Sequence, residues 1–478
     1  MLPQISKITE LKENSSIATL FDNIEQISLS LLSENESDYL RNKLVKENDC
    51  TVYKHPNIFY FNKIKEEKEN HIKIEEARKA GSKLFDILKT EKIKTIQLIN
   101  FSMPELTTAF LEGLLLSGYS FDKYKKEKDD YHIEEIFIFD KNCSLSQIEE
   151  LKNLTQAVFY SRDLVNEPLS FLTAPQFSKE IEKMAEESGF SVDVFNKKKI
   201  ETLKMGGLLA VNKGSIDPPT FNVLEWKSEN AKNGKPIVLV GKGVVFDTGG
   251  LSLKPTAKSM DHMKCDMAGG AVVAAAIFAA AKNKLPVHVI GLIPATDNRP
   301  DGNAYVPGDI ITMFDGTTVE IKNTDAEGRL ILADALSYAK KYSPELVIDI
   351  ATLTGAAEIV AGNYAIVGMG NSKEHLEKIK DTGNETYERI IEVPLWEEYA
   401  KVLKSDVADL NNLGGREAQS TVAGKFLEHF TDYNWIHLDA AGVSFRFEKD
   451  NYIPVGGTGY GVRLLFNFLK TFNQLYND

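Results

Sequence analysis

Two carboxylates and a guanidinium stand at alternate positions in the segment NTDAEGRL, residues 323–330. Residues two apart share a side only in an extended backbone, and a helix would point Asp325 and Glu327 to nearly opposite faces. The spacing therefore predicts a strand end or loop in which Asp325, Glu327 and Arg329 converge, just before a helix that starts near Gly328. The alternative interpretation is a solvated acidic turn that caps this helix, which is the commoner setting for a lone pair of acids.

A second group of charges lies upstream, beside glycines and apolar runs. Lys242 follows the apolar run PIVLVG, Asp247 and Lys254 flank the glycines of FDTGGLSLKP, and Asp266 opens an almost wholly apolar helix. An uncompensated charge in such surroundings is costly. The two groups together contain four carboxylates that their lysines and arginine pair only in part, so we expect two divalent cations to complete the balance.

The expected metal centre is rich in oxygen ligands, which suits hard or borderline ions such as Mg²⁺, Mn²⁺ or Zn²⁺. His262 is the only histidine close to these segments, and the sequence contains no H-E-x-x-H motif. A protease with one zinc ion on a helix is therefore disfavoured. A dinucleotide site at VGKG is also disfavoured, because the third glycine of G-x-G-x-x-G would fall on Phe246.

Five strings in this order carry a family resemblance: VGKG, FDTGGLSLKP, MKCDMAGG, NTDAEGRL and ATLTG. From about Arg162 to its carboxyl end, the sequence resembles the leucine aminopeptidase (cytosol aminopeptidase) family of dinuclear metallo-exopeptidases. The resemblance implies an aminopeptidase that releases N-terminal amino acids, of leucine type or broad, from peptides with a hydroxide that bridges two metal ions. Two alternatives stay open: a dipeptidase-like member with narrow specificity, and a catalytically inactive binding protein of the same fold.

The resemblance also implies roles for individual residues. The metal ligands, holding two divalent ions per subunit (zinc and/or manganese), would be Lys242, Asp247, Asp266, Asp325 and Glu327. The catalytic residues would be Lys254, which would stabilise an oxyanion, and Arg329, which would hold a bicarbonate ion as a proton shuttle. The walls of the pocket for the first side chain of the substrate would be Met263, Thr352, Gly355, Ala441 and Ser444. The family pattern favours a bulkier or more apolar residue where Ser444 stands, so we expect a roomier or more polar pocket.

Length and composition agree with a soluble enzyme. The 478 residues include 69 acidic and 56 basic side chains, a net charge of −13, which disfavours binding to the nucleic acid backbone. No signal pattern opens the chain, and its longest apolar stretch, residues 268–281, is shorter than the roughly 18 residues that suggest a membrane span. With three cysteines and no disulfide framework, the expected compartment is the cytoplasm. The resemblance implies a homo-hexamer.

Periodic patterns predict how the chain positions these residues. Residues 1–145 are expected to form a smaller N-terminal α/β domain, and residues 146–166 a connecting helix. In residues 167–478 strands alternate with helices, which predicts a larger C-terminal catalytic domain with a mostly parallel central sheet flanked by helices. The fold class is therefore α/β, with the candidate ligands near strand ends, where open α/β sheets bind ligands. The expected strands near them are 237–240, 287–293 and 346–350, and the expected helices are 268–281 and 330–342.

Overall fold

The computed structural model describes residues 2–27, 32–65 and 68–472, and its chain divides into two compact units. The first unit contains Met1–Gln156 and Glu448–Pro454, and the second contains Ala157–Phe447 and Val455–Asp478. The segment Glu448–Pro454 thus belongs with the first unit although it lies near the end of the sequence. Lys449 in this segment contacts Asp86, with Nζ 2.6 Å from Oδ1.

The first unit is built on a sheet that has six strands, counted over the described residues. Its strands are β1 (Gln4–Lys7), β2 (Ser16–Phe21), β3 (Asp49–Lys54), β4 (Asn57–Lys63), β5 (Thr95–Asn100) and β6 (Glu135–Phe139). They are ordered β1-β6-β5-β2-β4-β3, and every neighbouring pair is parallel except β3 and β4. Because parallel neighbours need crossover connections, helices separate most of these strands along the chain.

The helices of the first unit are α1 (Glu34–Leu44), α2 (Asn70–Thr90) and α3 (Glu105–Ser117). The backbones of α2 and α3 touch: a Cβ added to Gly81 would lie 2.0 Å from the carbonyl oxygen of Phe110, and one added to Gly113 would lie 1.8 Å from that of Arg78. Only glycine permits so close an approach. The next helix is α4 (Leu145–Asn166), over the stretch predicted as a connecting helix.

The second unit contains a sheet of nine strands within the part of the chain that the structure describes. The strands of this unit are β7 (Ser191–Phe195), β8 (Thr220–Lys227), β9 (Ile237–Gly241), β10 (Gly243–Asp247), β11 (His288–Asn298), β12 (Ile310–Thr312), β13 (Thr318–Glu320), β14 (Leu346–Ala351), β15 (Ile366–Gly370), β16 (Ile390–Glu392), β17 (Leu410–Asn411), β18 (Trp435–Asp439), β19 (Phe445–Arg446) and β20 (Gly456–Gly457). The large sheet is ordered β16-β15-β18-β14-β9-β11-β8-β7, and β10 also pairs with β11.

The centre of this sheet is parallel. The pairs β18–β14, β14–β9, β9–β11 and β10–β11 run parallel, whereas β15–β18, β11–β8 and β8–β7 are antiparallel. A mostly parallel sheet in the larger unit confirms the predicted α/β fold class. The strands predicted over 237–240, 287–293 and 346–350 correspond to β9, β11 and β14.

The helices of the second unit are α5 (Ala174–Ser188), α6 (Lys197–Leu203), α7 (Gly206–Asn212), α8 (Ala268–Lys282), α9 (Glu327–Ala339), α10 (Gly355–Ala361), α11 (Lys373–Thr386), α12 (Gln419–Glu428) and α13 (Val462–Thr471). Both α8 and α9 pack on β9, β11 and β14. Val238 and Val240 of β9 share a core cluster with Leu330 of α9, and the alternate residues Ile237 and Leu239 are equally buried. Because successive strand residues point to opposite faces, both faces of β9 are covered.

The carboxyl ends of the central strands and the amino ends of two helices position the predicted site residues. β9 ends immediately before Lys242, β10 ends at Asp247, and α9 begins at Glu327. The start of α8, two residues after Asp266, lies tightly against β14, since a Cβ on Gly269 would be 2.1 Å from a carbonyl oxygen of that strand.

One described segment, Met260–Lys282, has the length and composition of a membrane span. However, 89% of its apolar window is buried inside the protein. It contains α8, which packs on the central strands. This is the buried helix that the alanine-rich and glycine-rich sequence predicts.

Candidate metal centre

Three of the predicted carboxylates converge at the edge of the large sheet. Asp247 ends β10, Asp325 lies in the turn before α9, and Glu327 is the first residue of that helix. Each offers one oxygen, and these oxygens all lie within 4.8 Å of one another. Asp247 and Glu327 are buried and Asp325 is half-buried. The two acids of the D-x-E pair face one point, because Asp325 precedes the first turn of α9 and is not bound by helical spacing. The extended segment expected through Arg329 is wrong, since Glu327 and Arg329 both lie inside α9.

Lys242 joins the fourth carboxylate, Asp266, to this group. Its Nζ lies 2.8 Å from Oδ1 of Asp266 and 2.9 Å from Oε1 of Glu327, and it donates to the carbonyl oxygen of Thr352 at 2.9 Å. Burial by itself would lower the pKa of Lys242, but the charges of Asp266, Glu327 and Asp247 hold it above its usual value. These contacts favour the ammonium form of Lys242, whose charge offsets part of the carboxylate charge.

Lys254 contacts the opposite part of the same cluster. Its Nζ lies 3.0 Å from Oδ2 of Asp247 and 2.5 Å from Oδ1 of Asp325. Burial opposes its charge, yet the neighbouring carboxylates, Asp247 first, keep the pKa of Lys254 above its usual value. The structure thus brings together all five predicted metal ligands and Lys254.

Burial and mutual repulsion disturb the pKa values of these carboxyl groups. Burial, together with the charge of Glu327, raises the pKa of Asp247. Burial raises the pKa of Asp266 well above its usual range in spite of Lys242. Burial and the charges of Asp247 and Glu327 raise the pKa of Asp325 to about 7. For Glu327 the nearby lysine charges outweigh burial and hold its pKa below the usual value.

Divalent cations fit this donor set. Oδ2 of Asp266 is buried and has no hydrogen-bond partner among the described residues. Three of the four carboxyl groups have raised pKa values, so the cluster holds more carboxylate than its two lysines neutralise. Cations bound between these oxygens would supply both the missing charge and the missing partners.

Arg329 lies two residues beyond Glu327 and is buried. Its Nη1 donates to the carbonyl oxygen of Asn412 at 2.9 Å, whereas its Nε has no hydrogen-bond partner within the described ranges. Burial lowers the pKa of Arg329 to about 10, against the charges of Glu327 and Asp439. A guanidinium that stays charged with an unpaired donor is suited to an anion.

The predicted pocket residues have different surroundings. Thr352 is buried and donates through Oγ1 to Oδ1 of Asp266 at 2.9 Å. Met263 is half-buried in the 3₁₀ helix Met260–Cys265 that leads to Asp266, and Gly355 is exposed at the start of α10.

The last two predicted pocket residues lie beyond β18. The backbone nitrogen of Ala441 donates to Oδ1 of Asp439 at 3.3 Å. Ser444 is buried, and its hydroxyl donates to the carbonyl oxygen of Ala440 at 2.8 Å. The hydroxyl hydrogen of Ser444 is therefore used in a hydrogen bond to the backbone. The main effect expected of this serine is then a roomier pocket and not a more polar one.

Two buried polar residues at this edge were missed by the sequence reasoning. Asp439 accepts from the backbone nitrogen of Leu353 at 3.1 Å and from Oγ1 of Thr354 at 2.7 Å, so it holds the turn that follows β14. Asn298 donates to Asp247 at 2.9 Å. Each is the last residue of a buried strand, β18 or β11, and this position was the available signal.

Comparisons with known proteins agree with this geometry. A model of the cytosol aminopeptidase family, catalytic domain, matches residues 159–466, and one of the N-terminal domain of that family matches residues 65–128. The chain is 48% identical over 382 residues to a protein named "Probable cytosol aminopeptidase" from Chlorobaculum tepidum, covering 77% of this chain and 75% of the relative. A protein of the same name from a Geobacter species is 40% identical over 407 residues, covering 83% of this chain and 82% of the relative.

A solved structure is also similar to this chain over nearly its whole length. It is described as the bottromycin maturation enzyme BotP in complex with Mn. The TM-score is 0.85 and the sequence identity 28%, with 97% of this chain and 100% of that chain covered. The similarity therefore extends through both compact units and not through the central sheet alone.

Proposed function

Because this chain belongs to the cytosol aminopeptidase family and is an aminopeptidase, we propose that it hydrolyses peptides with two divalent cations at the carboxylate cluster. The proposed ligands are Lys242, Asp247, Asp266, Asp325 and Glu327. The observation that carries the proposal is the convergence of three ligand oxygens within 4.8 Å of one another, beside a fourth buried carboxylate.

Zinc and/or manganese is the proposed occupant. When bound, such ions would polarise the scissile carbonyl and acidify a water molecule. Carboxylate oxygens with one amine nitrogen suit both metals, and the solved relative is described as a complex with Mn. To ligate through nitrogen, Lys242 must give up the proton that its neighbouring carboxylates stabilise. Cations among the same carboxylates would remove that stabilisation and lower the pKa of Lys242.

Lys254 is the proposed donor to the oxyanion that forms when the scissile carbonyl is attacked. Its ammonium lies between Asp247 and Asp325, and its side chain is 16% exposed, so it is not sealed from solvent. Against burial, the carboxylates around it, Asp247 first, raise the pKa of Lys254, which favours the ammonium form. A fixed positive charge beside the carbonyl oxygen favours the transition state over the neutral ground state.

Arg329 is proposed to hold bicarbonate as the proton carrier between the attacking water and the leaving amine. With a pKa of about 10 the guanidinium remains charged at neutral pH and does not accept a proton itself. Its unpaired Nε supports an anion at this place.

The proposed substrates are peptides with a free amino terminus. A metal ion at this site would bind a free α-amine through its nitrogen lone pair, whereas the lone pair of an internal amide nitrogen is delocalised into the carbonyl and makes it a poor ligand. We propose a leucine-type or broad preference in a pocket formed by Met263, Thr352, Gly355, Ala441 and Ser444. An inactive binding protein is not favoured, because all the proposed ligands are intact and gathered. A cytoplasmic homo-hexamer is the proposed assembly, which gel filtration with light scattering would test.

Metal analysis combined with a panel of substrates tests the proposal. The purified protein should bind two Mn²⁺ or Zn²⁺ ions per chain and should hydrolyse leucyl p-nitroanilide but not its N-acetylated form. Removal of the metal should abolish turnover, and its return should restore it. Full activity in chelator, or equal hydrolysis of the acetylated substrate, would overturn the proposal. Turnover of a single dipeptide alone would favour the narrow alternative, and no turnover of any substrate after manganese loading would favour the binding protein.

A further inference from the structure

Asn298, the last residue of β11, is fully buried beside two of the proposed metal ligands. Its Nδ2 donates to Oδ1 of Asp247 at 2.9 Å and to the carbonyl oxygen of Thr324 at 3.0 Å, and it lies 3.5 Å from Oε2 of Glu327. These three neighbours are acceptors at neutral pH, so the amide nitrogen, and not its oxygen, must face them. One neutral side chain therefore contacts two carboxylates and a backbone carbonyl oxygen in the turn that precedes α9.

The contact with Asp247 helps to fix the orientation of its carboxylate. Oδ1 accepts from Nδ2 of Asn298 and also from the backbone nitrogen of Gly249 at 2.8 Å. Oδ2 faces the ammonium of Lys254 at 3.0 Å. With two N–H donors on Oδ1 and the Lys254 ammonium at Oδ2, the carboxylate is held at one rotation about its terminal bond.

The same residue fixes the two chain segments that supply these ligands relative to each other. The carbonyl oxygen of Asn298 accepts from the backbone nitrogen of Thr248 at 3.0 Å and from its Oγ1 at 2.8 Å, next to Asp247. The carbonyl oxygen of Thr324, next to Asp325, accepts from Nδ2 of Asn298 and from the hydroxyl of Tyr305 at 2.7 Å. Asn298 is thus bonded to the end of β10 and to the turn that precedes α9.

We propose that Asn298 is a positioning residue for metal binding, acting through Asp247 and through the turn that carries Asp325. The inference rests on the proposed metal function of the cluster. Asparagine suits this place because it offers N–H groups without adding charge, whereas aspartate would add a further carboxylate to a site already in excess. Groups that orient metal ligands by hydrogen bonds typically contribute about 10- to 100-fold to metal affinity.

The matched control for this proposal is Asn222 on the neighbouring strand β8. Asn222 is equally buried, and its Nδ2 donates to the carbonyl oxygen of Ile293 at 3.1 Å. Its Oδ1, like that of Asn298, has no hydrogen-bond partner among the described residues. Replacing Asn222 therefore removes a buried amide of the same kind. This amide is paired with β11 and has no hydrogen bond to a proposed ligand among the described residues.

The test is a calorimetric titration of the full-length, metal-free protein with Mn²⁺, with thermal unfolding measured with and without the ion. Asn298→Ala should weaken Mn²⁺ binding by about 10- to 100-fold and reduce the rise in Tm that Mn²⁺ produces. Asn298→Ser, which keeps a hydroxyl donor and disturbs packing less, should fall between the alanine variant and wild type. Asn222→Ala should lower the metal-free Tm but leave the Mn²⁺ affinity within about 3-fold of wild type.

The outcomes separate this inference from the function on which it rests. Wild-type protein that binds no Mn²⁺ would overturn the proposed function itself. Wild-type protein that binds Mn²⁺, with Asn298→Ala or Asn298→Ser binding it equally well, would overturn the role of Asn298 alone. Activity gives a second measurement: the Mn²⁺ concentration for half-maximal turnover should rise in the Asn298 variants while KM for leucyl p-nitroanilide stays unchanged. Equal shifts in the Asn222 control would assign the effect to packing and would also overturn the inference.

Discussion

Replacing Lys254 with methionine removes the proposed oxyanion donor while keeping most of the side-chain volume. The charge lies 3.0 Å from Oδ2 of Asp247 and 2.5 Å from Oδ1 of Asp325. At 3 Å and an effective dielectric constant of 20, two unit charges interact by about 5.5 kcal/mol. An oxyanion that forms beside Nζ would gain part of this energy, since the ammonium already interacts with both carboxylates.

The expected loss is smaller than the full Coulomb energy and matches that of one preorganised donor. Removing such a donor costs about 2.7–4 kcal/mol, a 10²- to 10³-fold fall in kcat. We therefore expect Lys254→Met to lower kcat by about this factor, with KM for the substrate changed by less than about 3-fold because the neutral ground state gains little from the charge. Metal content should stay at two ions per chain, because the substitution removes a cation that competes for the same carboxylates.

The assay is steady-state hydrolysis of leucyl p-nitroanilide by the Mn²⁺-loaded protein, with metal content measured on the same samples. Lys425→Met is the matched control, because Lys425 is also buried and contacts two carboxylates, Glu397 and Glu428, at distances of 2.6 Å and 2.5 Å. It should leave kcat within about 2-fold. A Lys254→Met protein that keeps its metal and more than a fifth of wild-type kcat would refute the oxyanion role. Loss of metal together with activity would assign Lys254 to holding the site instead.

Three further predictions concern the metal centre, a buried acid and the first unit. Glu327→Gln should lower metal content and turnover together, measured by elemental analysis and hydrolysis. The control Asp334→Asn, on the same helix, should retain the metal. A Glu327→Gln protein with two ions and full activity would contradict the assignment of Glu327 as a metal ligand. Burial raises the pKa of Asp334 to about 7, so the folded protein binds this proton more tightly than the unfolded chain does. The resulting contribution to the free energy of unfolding is complete below about pH 4 and is lost as the pH rises through 7. Unfolding free energies from pH 5 to 8 should therefore fall by more in wild type than in Asp334→Asn, by an amount on the order of 1–3 kcal/mol, and parallel profiles would exclude this cause. Gly81→Ala should destabilise the first unit by about 1–3 kcal/mol or more, because the new Cβ would lie 2.0 Å from the carbonyl oxygen of Phe110; Gly234→Ala, with nothing within 4 Å, is the control in the same thermal unfolding experiment.

The elements that carry the site could be predicted because their periodicity is local. The apolar run before Lys242, the alanine-rich stretch after Asp266 and the helix after Asp325 each have a pattern that a single element satisfies. The structure has β9, α8 and α9 at these places. The glycines beside the charged residues were a second signal, which indicated the metal centre. Glycines allow the backbone to pack closely, and a charge buried against such backbone needs a partner.

Short strands and their partners could not be predicted in this way. β17 has only two residues and pairs with β13, about ninety residues earlier in the chain. The antiparallel contact of β15 with β18 and the membership of Glu448–Pro454 in the first unit are also set by distant packing. No local pattern encodes such pairings, because the residues that decide them are not neighbours in sequence.

The sequence by itself determined which side chains could bind metal, since five candidate ligands with the right neighbours stand in three short segments and carry the family resemblance. Only the tertiary structure decided how they are held: that Lys242 links Asp266 to Glu327, and that Asn298 donates a hydrogen bond to one oxygen of Asp247. The physical reason is distance along the chain. Asn298 and Asp247 are 51 residues apart, and a hydrogen bond between them exists only because parallel strands bring their carboxyl ends to the same edge of the sheet.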